Sequence, residues 1–440
     1  MIARHRRLLV LFFGLLLMMI KAAPASAETW RQLSSDGLRA IDEGRIDEAE
    51  KLFRRAHDLS LAFEADDPRH ATSLNNLAYA RHSMGDYEDA IDIYQQSISL
   101  RIASLGKDHP DVAEVNNNLA ELYRVMGDFN RSEELHHHAL AIRKQAFGDD
   151  HPETAKSMNN LGVLYTHRQM FDKAYPLHKQ ALAIRQKSFG EDHPATAEAK
   201  SNLAALHHAE GRLATAEPLY RQALAIEERY LADDHPSLAT TLSNLAELYR
   251  AQGKLDEALK LHERALKIRQ QALGASHPVS AQSLNNLGVT QFQRDRIELA
   301  EDLYRQSLSI QETQLGDEHP NLAITLNNLA ELLRSQRRFD EAKRQYHRAL
   351  AIKEARLGPN HPDLVLGLNN VALLHFDKGA YVEAKRLLDR ALAIEEQHVG
   401  KDAPELIITL ENYAIVLREL RQHREAERFE ARIEALRAKL

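Results

Sequence analysis

The chain has 440 residues, 44% of them hydrophobic, and no cysteine, so disulfides, thiolate metal sites and cysteine nucleophiles are excluded. Its formal charge is −7. Setting aside the four cations of the first 27 residues leaves 53 basic against 64 acidic residues, an acidic body that argues against general nucleic-acid binding.

The first segment reads as an address. Arg4, Arg6 and Arg7 make a basic start, and Leu8 to Ile20 is an uncharged apolar run of 13 residues. Ala25-Ser26-Ala27 supplies a small-x-small cleavage pattern, with Glu28 as the first mature residue. The run is short for a membrane span, which needs roughly 20 residues. Residues 1–27 are therefore expected to be a signal peptide, with membrane association only if that segment stays uncleaved. No cysteine follows to carry a lipid.

From there the chain is periodic. Pro68, Pro110, Pro152, Pro194, Pro236, Pro278, Pro320, Pro362 and Pro404 stand at one fixed spacing of 42 residues. Eight residues after each comes an asparagine: Asn76, Asn118, Asn160, Asn202, Asn244, Asn286, Asn328, Asn370 and Asn412. A fixed period of this size is the signature of a solenoid, whose core is a strip rather than a ball.

One unit, Asp108 to Gly148, shows the plan. Pro110 sits where a helix can begin, with Asp108 and His109 as capping candidates. A helix is predicted from about Asp111 to Met126 and a second from about Asn130 to Phe147. Gly127-Asp128 turns between them, and Gly148 ends the unit as a left-handed cap. Small residues recur where the two helices cross: Ala120, Ser132 and Ala139, then Ala246, Ala258 and Ala265, then Ala330, Ala342 and Ala349. The expected fold is all-α, a right-handed superhelical solenoid of about ten helix-turn-helix repeats. Residues 28–66 form an irregular first hairpin, with Gly44, Ile46, Ala49 and Ala56 at matching places. Regular repeats fill 68–403, and 404–440 is a capping repeat, in which Ala403 replaces His and Glu411 replaces Asn or Ser. Phe429, Ile433, Leu436 and Leu440 form its apolar stripe.

Asn118-Leu119-Ala120 with Tyr123, then Gly127, Phe129, Ser132 and Ala139, resembles the tetratricopeptide repeat. The 42-residue form, with His-Pro starts, Asn-Asn-Leu-Ala first helices and Ala-Leu-x-Ile-Arg second helices, is similar to the kinesin light chain repeats and their bacterial relatives, over residues 68 to 440. The resemblance implies a concave groove lined by the first helices. It also implies an asparagine at the ladder position that contacts bound peptide.

Counting from each proline at 100° per residue, positions +2, +3, +6, +9, +10, +12 and +13 are mostly apolar or small and cover roughly 180° of the first helix. Positions +4, +7, +11, +14 and +15 fall on the remaining side and vary between repeats. This face is polar at Glu114, Asn117, Glu121 and Arg124, at Lys156 and Asn159, and at Thr240, Ser243, Glu247 and Arg250. It turns apolar at Val289 and Phe292, Ile324, Leu366, Leu373, Phe376, Ile408 and Ile415. An apolar cluster on a free face marks a contact site or a self-association surface. If exposed, Phe376 could be cut to alanine with little effect on the fold.

Asparagine costs about 0.7 kcal/mol in a helix relative to alanine, so nine of them imply a use. The amides either fix stacking between repeats or hold the backbone of an extended peptide. Arg124, Arg250 and Arg334 each follow a glutamate by three residues, and serve either as helix ion pairs or as anion contacts. The candidate peptide-binding residues are Asn76, Asn118, Asn160, Asn202, Asn244, Asn286, Asn328, Asn370, Arg124, Arg250, Arg334, Phe292, Leu366, Leu373 and Phe376. Seven of the 23 histidines stand in His-Pro linkers. Stacked hairpins lie roughly 10 Å apart, too far for those histidines to share a metal. No phosphate loop or nucleophile elbow is present. The reading is a non-catalytic exported scaffold for a protein or peptide, placed by its leader in a periplasm, with no cofactor, metal, nucleic acid or small-molecule substrate. The alternatives are a self-assembling solenoid and a cytoplasmic kinesin light chain-like cargo adaptor.

Overall fold

A computed structural model describes residues 27–438, so the leader assigned to residues 1–27 lies, but for its last residue, outside the described residues. The described residues carry helices and turns and no strand. They divide into two compact units. The first holds residues up to Leu122 together with Asn130–Leu161, and the second holds Tyr123–Phe129 and Gly162 onward.

The first unit contains α1 (27–42), α2 (Ile46–Ser60), α3 (Pro68–Ser83), α4 (Tyr87–Leu105), most of α5 (Pro110–Val125), nearly all of α6 (Phe129–Phe147) and the first half of α7 (Pro152–His167). The second continues with α8 (Phe171–Phe189), α9 (Pro194–Ala209), α10 (Leu213–Tyr230), α11 (Pro236–Ala251), α12 (Leu255–Leu273), α13 (Pro278–Gln293) and α14 (Ile297–Leu315). It ends with α15 (Leu322–Ser335), α16 (Phe339–Leu357), α17 (Leu364–Asp377), α18 (Tyr381–Val399), a 3₁₀ turn (Pro404–Leu406), α19 (Ile407–Glu419) and α20 (His423–Arg437). In the second unit each first helix packs on its own second helix, and that one packs on the first helix of the next repeat.

The His-Pro linkers are caps. In all seven, ring Nδ1 accepts the backbone N–H two residues on, from Asp111 at 3.2 Å through Ser237 at 3.2 Å to Asp363 at 3.1 Å. The acceptor satisfies one of the orphan donors of a helix start, and proline adds none. Asp67 does the same for α3 at 2.9 Å.

The expected left-handed cap at Gly148 is of a different kind. Its φ is 90°, and its counterparts Gly106 and Gly190 combine φ of 89° and 94° with ψ of 155° and 168°. This is the mirror-extended region that only glycine visits readily. A second positive φ recurs within each hairpin, 17 residues after the proline. Glycine fills it at 85, 127, 211, 253 and 379, but Gln169, Asp295, Arg337 and Arg421 hold φ of 56–60°. A side chain there costs about 1–2 kcal/mol, and glycine returns about half of that gain as lost chain entropy. Arg337→Gly is therefore expected to raise stability by about 0.5–1 kcal/mol, read as a higher denaturant midpoint.

The hairpin crossing follows from size. A small residue at +10 faces a large one at +26: a Cβ added to Gly288 would meet the Tyr304 ring at 2.7 Å, and one on Gly162 the His178 ring at 2.8 Å. Gly37 stands against Phe53 in the same way, which places the first hairpin 41 residues, not 42, before the second. Where the alanine at +29 is a serine, its hydroxyl bonds the carbonyl at +3, as Ser97 to Ala71 and Ser307 to Ala281, both at 2.7 Å.

His178 is 1% exposed, and burial pulls its pKa down to about 4. An unfolded histidine titrates near 6.5. Below that pH the unfolded chain takes up a proton that the fold refuses, so this contribution is complete above pH 6.5 and fades as pH falls toward 4. Glu227 works the other way, since burial raises its carboxyl to about 7 and the fold gains as pH falls through that value. A variant isolates the histidine. His178→Tyr copies the Gly288–Tyr304 pairing and is expected to lose about 2 kcal/mol less than the parent between pH 7 and pH 5 in paired denaturant melts.

The last hairpin ends the stack with charge. Arg418 bonds Glu430 at 2.8 and 2.7 Å, and Arg437 bonds Glu411 at 2.5 Å, which accounts for the glutamate where other repeats have Asn or Ser. Ile433 and Leu436 are buried beneath, and Phe429 lies 4.8 Å from Tyr413. Leu440 lies outside the described residues.

Candidate functional site

The outward side of the first helices is set by positions +4, +8 and +11. In the first unit, Glu114 and Lys156 at +4 are exposed. In the second unit the exposed +4 residues run Glu198, Thr240, Gln282, Ile324, Leu366 and Ile408. The last three are 56%, 63% and 67% exposed, and Ile415 at +11 is 51% exposed. Three of these apolar side chains stand open at one register position in successive repeats.

The asparagines come in two rows. The ladder at +8 is half-buried throughout, from Asn76 to Asn412. Three of its amides reach back to the preceding repeat: Asn118 Nδ2 donates to Asn75 Oδ1 at 3.0 Å, Asn328 to Asn285 at 2.9 Å, and Asn412 to Asn369 at 2.9 Å. The acceptors stand at +7, a position the helical count assigned to the free face. The structure buries it, with Asn117 and Asn159 at 7% and Ser243 at 8% exposure. Position +7 lies only about 40° around the helix from buried +3, and the next first helix covers it. Asn117 Oδ1 also pairs with His136 Nδ1 at 2.9 Å. These three +8 amides bond between repeats, and the row as a whole stays half-open to solvent.

Among the candidate arginines at +14, Arg250 and Arg334 are held by carboxylates. Arg250 Nε donates to Glu247 at 2.8 Å. Arg334 donates to Glu331 at 3.0 and 2.7 Å and to Asp377 at 2.6 Å. Arg124 is half-buried. The expected apolar end is divided. Leu366 is fully outward, whereas Leu373, Phe292 and Phe376 are half-buried. Phe292 packs on the core around Tyr304 and Tyr346, and Phe376 on that around Leu388 and Leu417, with Tyr381 5.4 Å away. Phe376 is therefore a packing residue as well as a surface one, because +14 tilts toward the hairpin turn.

A further row escaped the count of first-helix faces. At position +33, the arginine of the Ala-Leu-x-Ile-Arg motif reaches from four of the second helices to the first helix of the next repeat. Arg101, Arg143, Arg185 and Arg269 are 4–7% exposed. Arg101 donates to the Asp111 carbonyl at 2.6 Å and Glu114 at 3.1 Å, Arg185 to the Ala195 carbonyl at 2.9 Å and Glu198 at 2.7 Å. Arg143 and Arg269 reach Ser157 at 3.0 Å and Ser283 at 2.6 Å. The recurring arginine in the motif was the available signal. Among the described residues no three His, Asp or Glu converge as a metal site, and no helix is long and apolar enough to cross a membrane.

A family profile for the tetratricopeptide repeat matches residues 40–103, 111–174, 158–229, 196–271, 237–313, 292–355, 321–394 and 363–439. The chain belongs to the tetratricopeptide repeat family. Its tetratricopeptide repeats are similar to those of several solved structures. A candidate kinesin light chain of Podosopora anserina with nearly identical TPR-like repeats is 27% identical, covering 47% of this chain and 97% of that one at a TM-score of 0.40. BtubC (BKLC) from P. vanneervenii is 23% identical over 56% of this chain and 92% of that one, TM-score 0.40. A Rap protein complexed with competence and sporulation factor is 16% identical over 75% and 99%, TM-score 0.49. Comparison with curated proteins returns no match.

Proposed function

We propose that the chain is an exported, non-catalytic scaffold that holds an extended peptide or partner protein against the outward row of its first helices. The observation that carries this is the +4 row of the second unit. Its scaffold repeats while its exposed side chains run from Glu198, Thr240 and Gln282 to Ile324, Leu366 and Ile408. Stacked repeats present extended surfaces of this kind, and membership of the tetratricopeptide repeat family supports the same use. The half-open +8 amides add donors and acceptors along the row, and the apolar residues supply anchors. Export rests on the basic start, the 13-residue apolar run and Ala25-Ser26-Ala27.

The test uses the mature chain as bait in an envelope extract of its source. Leu366→Ser with Ile408→Ser is expected to weaken capture of the bound protein at least tenfold, with stability changed by no more than about 0.5 kcal/mol per site. Light scattering at several concentrations should report a monomer for both forms. A parent that self-associates and a double variant that does not would replace the peptide-holding reading with self-assembly. N-terminal sequencing of the envelope fraction should begin at Glu28 or a close neighbour, and recovery of the full-length chain from the cytoplasm would overturn export.

A further inference from the structure

At one repeat junction the buried side chain at +33 is neither a cation nor an acid. At the junctions between regular 42-residue repeats, +33 carries cations in Arg101, Arg143, Arg185, Arg269 and Lys353, and acids in Glu227 and Glu395. The remaining junction has Gln311. The cations share a pattern of acceptors on the next first helix. Three of them donate to the carbonyl at +1: Asp111 at 2.6 Å, Ala195 at 2.9 Å and Asp363 at 3.2 Å. Two donate to the hydroxyl at +5, Ser157 and Ser283. Gln311 carries no cation to the equivalent acceptors, the Asn321 carbonyl and the Thr325 hydroxyl.

The result is a groove of about 200 Å³ between α13 and α15, with Gln311 on its floor and Gln282, Asn286, Asn321 and Thr325 around it. Gln311 is 4% exposed, and its Oε1 is enclosed without a hydrogen-bond donor. A buried amide oxygen left unpaired is costly, so the site calls for a donor. The groove is below the roughly 300 Å³ at which small-molecule pockets begin, so it suits one side chain rather than a whole ligand. It opens on the face that carries Asn286 and Ile324, the face read above as peptide-holding, and the inference rests on that reading.

We propose that this groove is a subsite for an arginine side chain of the bound peptide. The incoming guanidinium would occupy the place that Arg269 fills one junction earlier, donating to Gln311 Oε1 and to the Thr325 hydroxyl, the counterpart of Ser283. Arg269 shows that such a junction accepts a guanidinium against a neutral partner, since it donates to the Ser283 hydroxyl at 2.6 Å and is 7% exposed. Several acceptors around one space favour the planar fork of arginine over the point charge of lysine. Val279 and Ile324 at the rim offer apolar surface to the aliphatic stem.

Fluorescence anisotropy with three labelled nonapeptides tests this. All are alanine and serine chains, differing in a central arginine, alanine or glutamate. The arginine peptide is expected to bind the mature chain at least tenfold more tightly than the other two. Gln311→Arg refills the groove with the chain's own guanidinium, as in four sibling junctions. It should reduce the arginine peptide to the level of the alanine peptide while melting no earlier than the parent. Gln311→Met removes the acceptor without filling the groove with charge, and is expected to erase the preference even if the arginine variant folds poorly. Equal binding of all three peptides, a preference for glutamate, or an arginine preference that survives in both variants would overturn the subsite while leaving the peptide-holding face in place. Absence of binding by all three also overturns the subsite, while the peptide-holding face falls only if the mature chain captures no partner from the envelope extract.

Discussion

Tyr346→Ala is expected to destabilise the protein by about 4 kcal/mol, the range for deleting a fully buried aromatic ring. Tyr346 is 0% exposed and lies in a cluster with Ala330, Leu333 and Ala349. It is the large residue set against the small one at +10, so its loss opens a cavity at the hairpin crossing that neither helix can close alone. Its hydroxyl donates to Glu331 Oε2 at 2.8 Å, and Glu331 in turn holds Arg334. Tyr346→Phe removes only that bond and should cost about 1 kcal/mol. Denaturant melts of the two variants separate ring from hydroxyl. Hydrogen exchange should show α15 to α17 loosening first, because a repeat is stabilised mainly by its nearest neighbours. Equal costs for the two substitutions would mean that the ring is not the keystone of the crossing.

Asn369→Ala carries the second large effect, a loss of about 2–3 kcal/mol. Asn369 is 4% exposed. Its Nδ2 donates to the Val365 carbonyl at 3.1 Å and to Thr409 Oγ1 at 2.9 Å, and its Oδ1 accepts from Asn412 at 2.9 Å. Removing it strands a hydroxyl that is 1% exposed and an amide that pointed at it. Asn412→Ala deletes a half-buried partner and one bond, for about 0.5–1.5 kcal/mol. The order of the two costs is the informative result. A larger cost at +7 than at +8 assigns the stacking to the buried row and frees the ladder's open edge for a ligand. The reverse order would assign the ladder to stacking.

The hairpins were legible in residues that act locally. Proline removes a donor and presets a helix start, glycine tolerates a positive φ, and these recur at one spacing. Helices expected over Asp111 to Met126 and Asn130 to Phe147 appear as Pro110–Val125 and Phe129–Phe147. The exposed +4 row was legible too, since +4 lies opposite the packed residues whatever the neighbours do. Phe376 was not, because a residue near the edge of a helical face is covered or left open by how its hairpin turns.

The sequence by itself determined the period, the hairpin, the proline-led helix starts and the variable +4 row, because each depends on groups within one helix or one turn. Only the tertiary structure decided which asparagine of the pair is buried, that the motif arginine reaches between first helices, and that Gln311 leaves a groove where arginine stands elsewhere. Those facts turn on contacts from about 10 to 43 residues apart in the chain, as from Arg101 to Asp111 and from Asn75 to Asn118. Angular position on one helix cannot supply them, since the separation and tilt of neighbouring helices set which side chains meet.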